Sequence, residues 1–162
     1  MVQYTIQAVK EFIQAFLCSE LFDSYYLSEG QITTFNTYHI DGHFKKEFFQ
    51  DIKETEELSE REYSFWKENR SFCFDLIKGK RVPLQFKFVL LLSPSQLSAL
   101  LAQEDLTFSL KDVSGCFLNI SYRDGQLTCT SGTALAAFSL DKSLEQAWDK
   151  TLTRFLNTHN FI

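Results

Sequence analysis

The sequence has little of the residues that keep chains unfolded or build fibres. Its 162 residues include 2 prolines, 6 glycines and 1 methionine. Such low proline and glycine contents, together with 17 phenylalanines, exclude a disordered, collagen-like or low-complexity chain. A chain of this length buries roughly 70% of its unfolded surface, so we expect a globular protein with a proper core.

Cysteines, leader sequences and long apolar runs are also scarce. The four cysteines lie far apart without a C-x-x-C pair, which is too sparse for a disulfide scaffold and predicts buried, reduced thiols. The N-terminus shows neither the basic nor the apolar region of a signal peptide. Apolar runs such as 88–92 are far too short to span a bilayer. These features predict a cytoplasmic protein without a membrane partner.

Positive charge is in the minority. The chain carries 16 lysines and arginines against 21 aspartates and glutamates, which gives a net charge of -5. This balance argues against attraction of the whole molecule to nucleic acid or to an anionic membrane. Nucleic acid is therefore only the alternative binding partner, and it would bind through a local basic patch.

Hydrophobic periodicity predicts alternating strands and helices. Strands are predicted at 2–6, 84–92, 107–110, 116–123, 126–131 and 134–140, with a β-rich stretch over 22–49 and a solvated loop over 50–60. Helices are predicted over 7–18, from Ser59 to Gly79 with Phe72 inward, from Ser93, and from Ser143 with Trp148 inward. In the second of these helices, Phe72, Phe74 and Leu76 also fit the alternation of a strand. Each of the three serines precedes a Glu or Gln by three residues, which is the pattern of a capping box.

Two Asp-Gly pairs, Asp41-Gly42 and Asp124-Gly125, predict tight hairpin turns, because both residue types accept positive φ values. In the second hairpin the apolar residues share one face. The other face is polar and consists of Asn119, Ser121, Arg123, Gln126, Thr128 and Thr130. This alternation is typical of an antiparallel hairpin with one buried face, whose polar face either binds a ligand or faces water.

The two halves of the chain resemble each other at an offset of 82 or 83 residues. At this offset the two Asp-Gly turns coincide, and Trp66 coincides with Trp148 within one residue. We therefore predict an α+β fold in a single domain, 1–162, in which a curved antiparallel sheet is backed by helices. Two similar β-α-β(3-4)-α repeats, 1–82 and 83–162, would build it. The element order resembles the duplicated TATA-binding-protein-like fold, with a clamp-type β-α-β-β-β unit as the second candidate, and neither implies a function.

Three segments carry a resemblance to a known family. They are Ile32-Thr33-Thr34-Phe35-Asn36-Thr37 with the following Ile40-Asp41-Gly42, Leu76-Ile77-Lys78-Gly79-Lys80-Arg81-Val82-Pro83, and Phe117-Leu118-Asn119-Ile120 leading into Leu127-Thr128-Cys129-Thr130. They resemble an uncharacterised bacterial protein family, a domain of unknown function, over nearly the whole chain. The resemblance implies no activity.

Catalytic and metal-binding patterns are weak. His39-x-Asp41-x-His43 is the one cluster that suggests a metal, but the predicted hairpin register points its two imidazoles to opposite faces. The sequence contains neither a phosphate-cradling glycine loop nor a G-x-S-x-G elbow. Cys73 stands between two phenylalanines, which is typical of a core residue rather than a nucleophile. We therefore predict no catalytic residue, no metal site and no cofactor.

The basic residues supply the candidate binding site. Lys78, Lys80 and Arg81 form the one basic concentration, and Arg123 lies on the polar face of the second hairpin. These four are candidate anion- or ligand-binding residues, although cations at a helix C-terminus are also favoured by the helix dipole alone. The sequence favours a non-enzymatic binding or scaffolding module that uses an exposed sheet face or self-associates as a homodimer. A nucleic-acid-binding protein is the alternative, and a small enzyme is the third candidate.

Overall fold

The computed structural model describes residues 1–49 and 60–162. These residues contain seven β-strands and four α-helices. The strands are β1 (Gln3–Thr5), β2 (Tyr26–Thr33), β3 (Thr37–Asp41), β4 (Ser64–Phe65), β5 (Gln85–Leu91), β6 (Val113–Arg123) and β7 (Gln126–Leu135). The helices are α1 (Val9–Cys18), α2 (Trp66–Ile77), α3 (Pro94–Gln103) and α4 (Ser143–Thr158). Two short 3-10 helices cover Lys46–Phe49 and Leu110–Asp112.

All seven strands belong to one antiparallel sheet. Its order is β1-β7-β6-β5-β2-β3, and β4 pairs with β2 beyond the end of β3. Helices pack on this sheet, so the predicted α+β class and the helix-backed antiparallel sheet are confirmed. Among the described residues, no helix combines the length and the apolar character that a membrane span requires.

The core lies between the helices and one face of the sheet, because successive side chains of a strand point to opposite faces. Phe88 on β5 and Ile120 on β6 are fully buried there. Each helix adds side chains to the same apolar cluster, among them Phe16, Trp66, Leu100 and Trp148. The Trp66 ring stacks on the Phe16 ring with centroids 4.1 Å apart. The inward position predicted for Trp148 is confirmed.

The β6–β7 hairpin has the register that the sequence predicts. Arg123 pairs with Gln126, and the turn residues Asp124 and Gly125 have φ values of 51° and 78°. Glycine removes the steric cost of the second positive φ.

The other Asp-Gly pair does not form a hairpin turn, so that prediction is wrong. Asp41 ends β3, and Gly42 continues in line, where it donates to Ser28 O over 2.9 Å and accepts from Ser64 N over 2.8 Å. The connection between β2 and β3 instead spans 34–36, with Thr34 N donating to Asn36 O. Pairing with two distant segments overrides the local turn preference of Asp41-Gly42.

The predicted internal duplication is not confirmed. The two Asp-Gly pairs lie at non-equivalent positions, one at a hairpin tip and one past the end of a strand. In the second half β5, β6 and β7 are neighbours, whereas in the first half β1 pairs with β7 rather than with β2. The two halves therefore differ in their number of strands and in their strand pairing.

Several predicted element boundaries are also wrong. Helix α2 begins only at Trp66, because Ser64 and Phe65 pair with β2, and Glu68 accepts the Phe65 N–H over 2.7 Å. On this shorter helix Phe72 faces outward and is 67% exposed. Ser59 and most of the loop predicted at 50–60 lie outside the described residues.

Two predicted strands are absent from the described second half. At 107–110 the Asp112 carboxylate accepts the Ser109 N–H over 2.8 Å, and this local bond starts a 3-10 helix instead of a strand. Strand β7 runs on to Leu135, and no strand covers 136–140. Helix α4 starts at Ser143 itself, whose N–H donates to the Asp141 carboxylate over 2.9 Å.

Candidate functional site

The sheet face away from the helices, called the open face, is predominantly polar and is not covered by a described helix. Strand pairing aligns its side chains in rows that run across the sheet. The polar part of the open face consists of Gln3, Thr5, Glu29, Gln31, Thr33, Thr37, His39, Asp41, Gln85, Lys87, Asn119, Ser121, Arg123, Gln126, Thr128 and Thr130. Towards the other end of the sheet the same face continues with Val89, Tyr26, Leu91, Phe117 and Gly132. Most of these side chains are half-buried or exposed, so they are available to a ligand.

Two cations on the open face are close neighbours. Lys87 on β5 pairs with Gln31 on one side and with Ser121 on the other, and Arg123 pairs with Gln85. Lys87 and Arg123 are therefore diagonal neighbours on adjacent strands, about 7–8 Å apart. A shallow cavity of about 190 Å³ lies here, lined by Gln31, Gln85, Phe86, Lys87, Ser121, Tyr122 and Arg123. We call it the open-face cavity.

The charge of the open-face cavity is only weakly compensated. The nearest ion pair joins Arg123 Nε to the Asp124 carboxylate over 3.7 Å, and both side chains are largely exposed. Such a surface pair contributes little and leaves the guanidinium free to exchange partners. Lys87 forms no ion pair within the described part of the chain. The cavity thus offers two positive charges, two side-chain amides and a hydroxyl.

The other three candidate residues lie around a different cavity, called the basic groove. It has a volume of about 740 Å³ and lies where the end of α2 meets the β2–β3 connection and the start of β5. Its lining residues are Thr34, Phe35, Tyr38, Asp75, Leu76, Lys78, Gly79, Lys80, Arg81, Val82 and Leu84. The structure therefore brings Lys78, Lys80 and Arg81 together but places Arg123 at the open-face cavity.

Asp41 contacts one of the two histidines of the His39-x-Asp41-x-His43 cluster, His43. The Asp41 carboxylate accepts the His43 N–H over 3.0 Å, contacts His43 Nδ1 at 2.7 Å and accepts from Lys45 over 3.1 Å. These hydrogen bonds hold the pKa of Asp41 well below its ordinary value. The His43 ring packs against Tyr63, with centroids 4.8 Å apart. Among the described residues, no group of three or more potential metal-binding side chains comes together.

The cysteines divide into three buried thiols and one exposed thiol. Burial raises the pKa of Cys73, Cys116 and Cys129 to about 12. Because the thiolate is the nucleophilic form, these groups stay protonated and unreactive at neutral pH. The core position predicted for Cys73 is confirmed, whereas Cys18 is exposed at the end of α1, contrary to prediction.

Some residues of both cavities were missed from the sequence. Gln31 and Gln85 contribute to the open-face cavity, and Phe35, Val82 and Leu84 contribute to the basic groove. A partial signal was present on β5, where Gln85 and Lys87 alternate with buried phenylalanines. The pairing of β5 with β2 across 50 residues has no such local signal.

Comparison with known proteins identifies a family for this chain. A family model described as a family of unknown function (DUF5721) matches residues 15–162. Neither a curated protein nor a solved structure matches the chain. The resemblance to an uncharacterised family expected from three sequence segments is therefore confirmed, and the chain belongs to this family of unknown function, DUF5721.

Proposed function

We propose that this chain is a non-enzymatic binding module that takes an anionic ligand in the open-face cavity. One observation carries the proposal, namely the placement of Lys87 and Arg123 as diagonal neighbours among uncharged polar side chains. The ligand class is a molecule that carries a carboxylate or a phosphate group. A cytoplasmic location is part of this proposal, and the free thiols are consistent with it.

The side chains of the cavity suit such a ligand chemically. The Arg123 guanidinium presents a planar fork that matches two oxygens of a carboxylate or phosphate, whereas Lys87 acts as a point charge. Gln31, Gln85 and Ser121 add neutral hydrogen-bond donors around the same cavity. Since strand pairing fixes the spacing of these positions, little backbone rearrangement is needed on binding.

The lining of the cavity supports binding rather than catalysis. Neither a carboxylate nor a histidine is among the residues that line it, although general acid–base chemistry relies on such groups. The two cysteines on the sheet, Cys116 and Cys129, are buried in the core and have raised pKa values. The side chains of the cavity can therefore bind and orient an anion.

Two other uses of this surface compete with a small anionic ligand. A single-stranded nucleic acid would place its phosphates on the same cations, and the basic groove adds three more at the same end of the sheet. A homodimer would instead bury the open face against a second copy. The predominantly polar character of the open face disfavours the homodimer, because the centres of stable interfaces are depleted of charge.

Isothermal titration calorimetry with sodium phosphate, citrate and a single-stranded oligothymidine, at about 150 mM salt, tests the proposal. We expect citrate or phosphate to bind the wild-type protein, and K87A/R123A to weaken that binding at least about tenfold. The matched control K10A/R154A removes the same two charges from exposed positions on α1 and α4 and should bind normally.

Three outcomes would contradict the proposal. The first is absence of anion binding up to about 10 mM, and the second is an equal loss in both double variants. Submicromolar binding of the oligothymidine with no binding of the small anions would favour the nucleic-acid alternative. Sedimentation velocity on the same samples should show a monomer, and a dimer dissociated by K87A/R123A would favour self-association.

A further inference from the structure

The basic groove combines exposed apolar side chains with cations. Phe35, Val82 and Leu84 line it and are 88%, 70% and 67% exposed. Isolated apolar residues on a protein surface are ordinary, as Phe72 on α2 illustrates, but three around one cavity form a patch. Such patches on a soluble protein mark places where a partner covers apolar surface.

Cations border the same apolar patch. Lys78 forms an ion pair with Asp75 over 3.2 Å, and its ammonium lies 5.3 Å from the centre of the Phe74 ring. Lys80 and Arg81 form no ion pair with the described residues. This local excess of positive charge occurs on a chain whose net charge is -5. The groove is therefore complementary to a partner that is both apolar and acidic.

We propose that the basic groove docks a segment of a partner protein in which a bulky apolar side chain is flanked by acidic residues. The apolar side chain would cover Phe35, Val82 and Leu84, and its acidic neighbours would meet Lys80 and Arg81. This arrangement reproduces the usual anatomy of a protein interface, with an apolar centre and a charged rim. The inference does not rest on the anion site, which is lined by different residues.

An anionic membrane is the main competing partner, and two features disfavour it. The negative net charge of the protein opposes approach to a negative lipid surface. In addition, the apolar side chains border a cavity of about 740 Å³. A bilayer covers convex apolar surface most readily, whereas a peptide side chain enters a cavity.

Fluorescence anisotropy with three labelled 12-residue peptides tests the inference. The probe peptide contains Phe and Leu flanked by Glu and Asp, the second replaces every acid by its amide, and the third replaces Phe and Leu by Ser. We expect the probe to bind the wild-type protein, and both altered peptides to bind at least about tenfold more weakly.

Two pairs of protein variants locate the binding site. K80E/R81E and F35S/V82S each should weaken probe binding at least about tenfold, since they remove the charged rim and the apolar centre separately. Their controls are K10E/R154E, which reverses two charges elsewhere, and F138S/L140S, which removes two equally exposed apolar residues. Both controls should bind as the wild type does. Because all eight side chains are exposed, circular dichroism should show that every variant is folded.

Several outcomes would overturn the inference. One is that the probe peptide shows no binding up to about 1 mM, and another is that the amide peptide binds as tightly as the probe does. A third is that the groove variants and the control variants lose probe binding to the same extent. Binding to phosphatidylglycerol vesicles with no binding to the probe would assign the groove to a lipid surface instead. The anion-site variant K87A/R123A should leave probe binding intact, so failure of one proposal is distinguishable from failure of the other.

Discussion

The two faces of the sheet differ sharply although the same strands build both. On the face covered by helices, Phe88, Leu90, Leu118 and Ile120 are fully buried in one apolar cluster. The alternating residues of the same strands on the open face are polar in the main, and many are only half-buried. Since every second residue belongs to each face, a strand such as β6 carries two nearly independent sets of side chains.

This difference separates the residues that stabilise the fold from those available for binding. Removal of a side chain from the covered face leaves a cavity among packed neighbours, whereas on the open face water fills the vacated space. The open face can therefore carry hydrogen-bonding and charged groups without a large stability cost.

The largest effect is expected for Trp148→Ala. Trp148 is 1% exposed beneath the sheet, and its indole N–H donates to Phe117 O over 2.9 Å. Loss of a large core aromatic residue lowers the free energy of unfolding by about 3–5 kcal/mol. Urea denaturation followed by circular dichroism measures the change. A loss below about 1 kcal/mol would show that α4 does not bury this side chain.

Neighbouring positions on β6 provide the most direct comparison of the faces. Leu118 is fully buried, so Leu118→Ala should lower the free energy of unfolding by about 2–5 kcal/mol. Asn119 points to the open face, and its side-chain amide donates a long hydrogen bond of 3.4 Å to Thr130 O. Asn119→Ala should therefore change the free energy of unfolding by less than about 0.5 kcal/mol. Equal effects of the two substitutions in the same denaturation assay would contradict the assignment of faces.

Two glycines extend the comparison to added volume. A Cβ at Gly30, on the covered face, would lie 3.0 Å from the buried Phe88 ring, so Gly30→Ala should destabilise the protein by about 1–3 kcal/mol. At Gly132, on the open face, the nearest atom would be Phe117 Cβ at 3.8 Å. Gly132→Ala should stabilise the protein slightly, because alanine restricts the unfolded chain. Thermal melts that rank the two variants in the opposite order would exclude this packing.

The buried thiols predict a dependence of stability on pH. Because the pKa of Cys73, Cys116 and Cys129 is raised to about 12, the unfolded state releases protons that the folded state retains. The contribution of these protonated thiols to the free energy of unfolding is fully present below the ordinary thiol pKa, about 8.5. It is lost as the pH rises towards 12. Urea denaturation between pH 7 and pH 10 should show decreasing stability, with a shallower decrease for Cys129→Ala. An unchanged slope in that variant would contradict the assignment.

Thiol exposure gives the smallest and simplest contrast. Cys18 is exposed, whereas the other three cysteines are buried. Brief treatment of the folded protein with iodoacetamide at pH 8 should therefore alkylate one site, and treatment in urea should alkylate all four. Peptide mass spectrometry identifies the modified sites, and rapid labelling of Cys116 in the folded protein would be inconsistent with a covered core.

Local sequence signals predicted the elements whose stabilising interactions are local. The β6–β7 hairpin follows from Asp124-Gly125 and strict alternation, and α3 follows from Ser93 and Pro94. The Asp41-Gly42 turn was predicted wrongly, because its conformation depends on bonds to distant strands.

The candidate site was predicted only in part for the same reason. Arg123 was identified from the polar face of its own hairpin, whereas Lys87 was not among the predicted site residues. The position of Gln31 beside Lys87 depends on the pairing of β2 with β5, which neither segment specifies by itself. The basic groove likewise assembles Phe35 with Arg81, which are far apart in the sequence.

The central claim, that the open face binds an anion between β5 and β6, is tested most directly by NMR. Titration of ¹⁵N-labelled protein with citrate at constant pH and ionic strength reports which backbone amides sense the ligand. We predict saturable shifts concentrated at 85–87, 121–123 and Gln31, which are absent in K87A/R123A. Shifts spread over exposed lysines elsewhere, or shifts that persist unchanged in K87A/R123A, would contradict the claim.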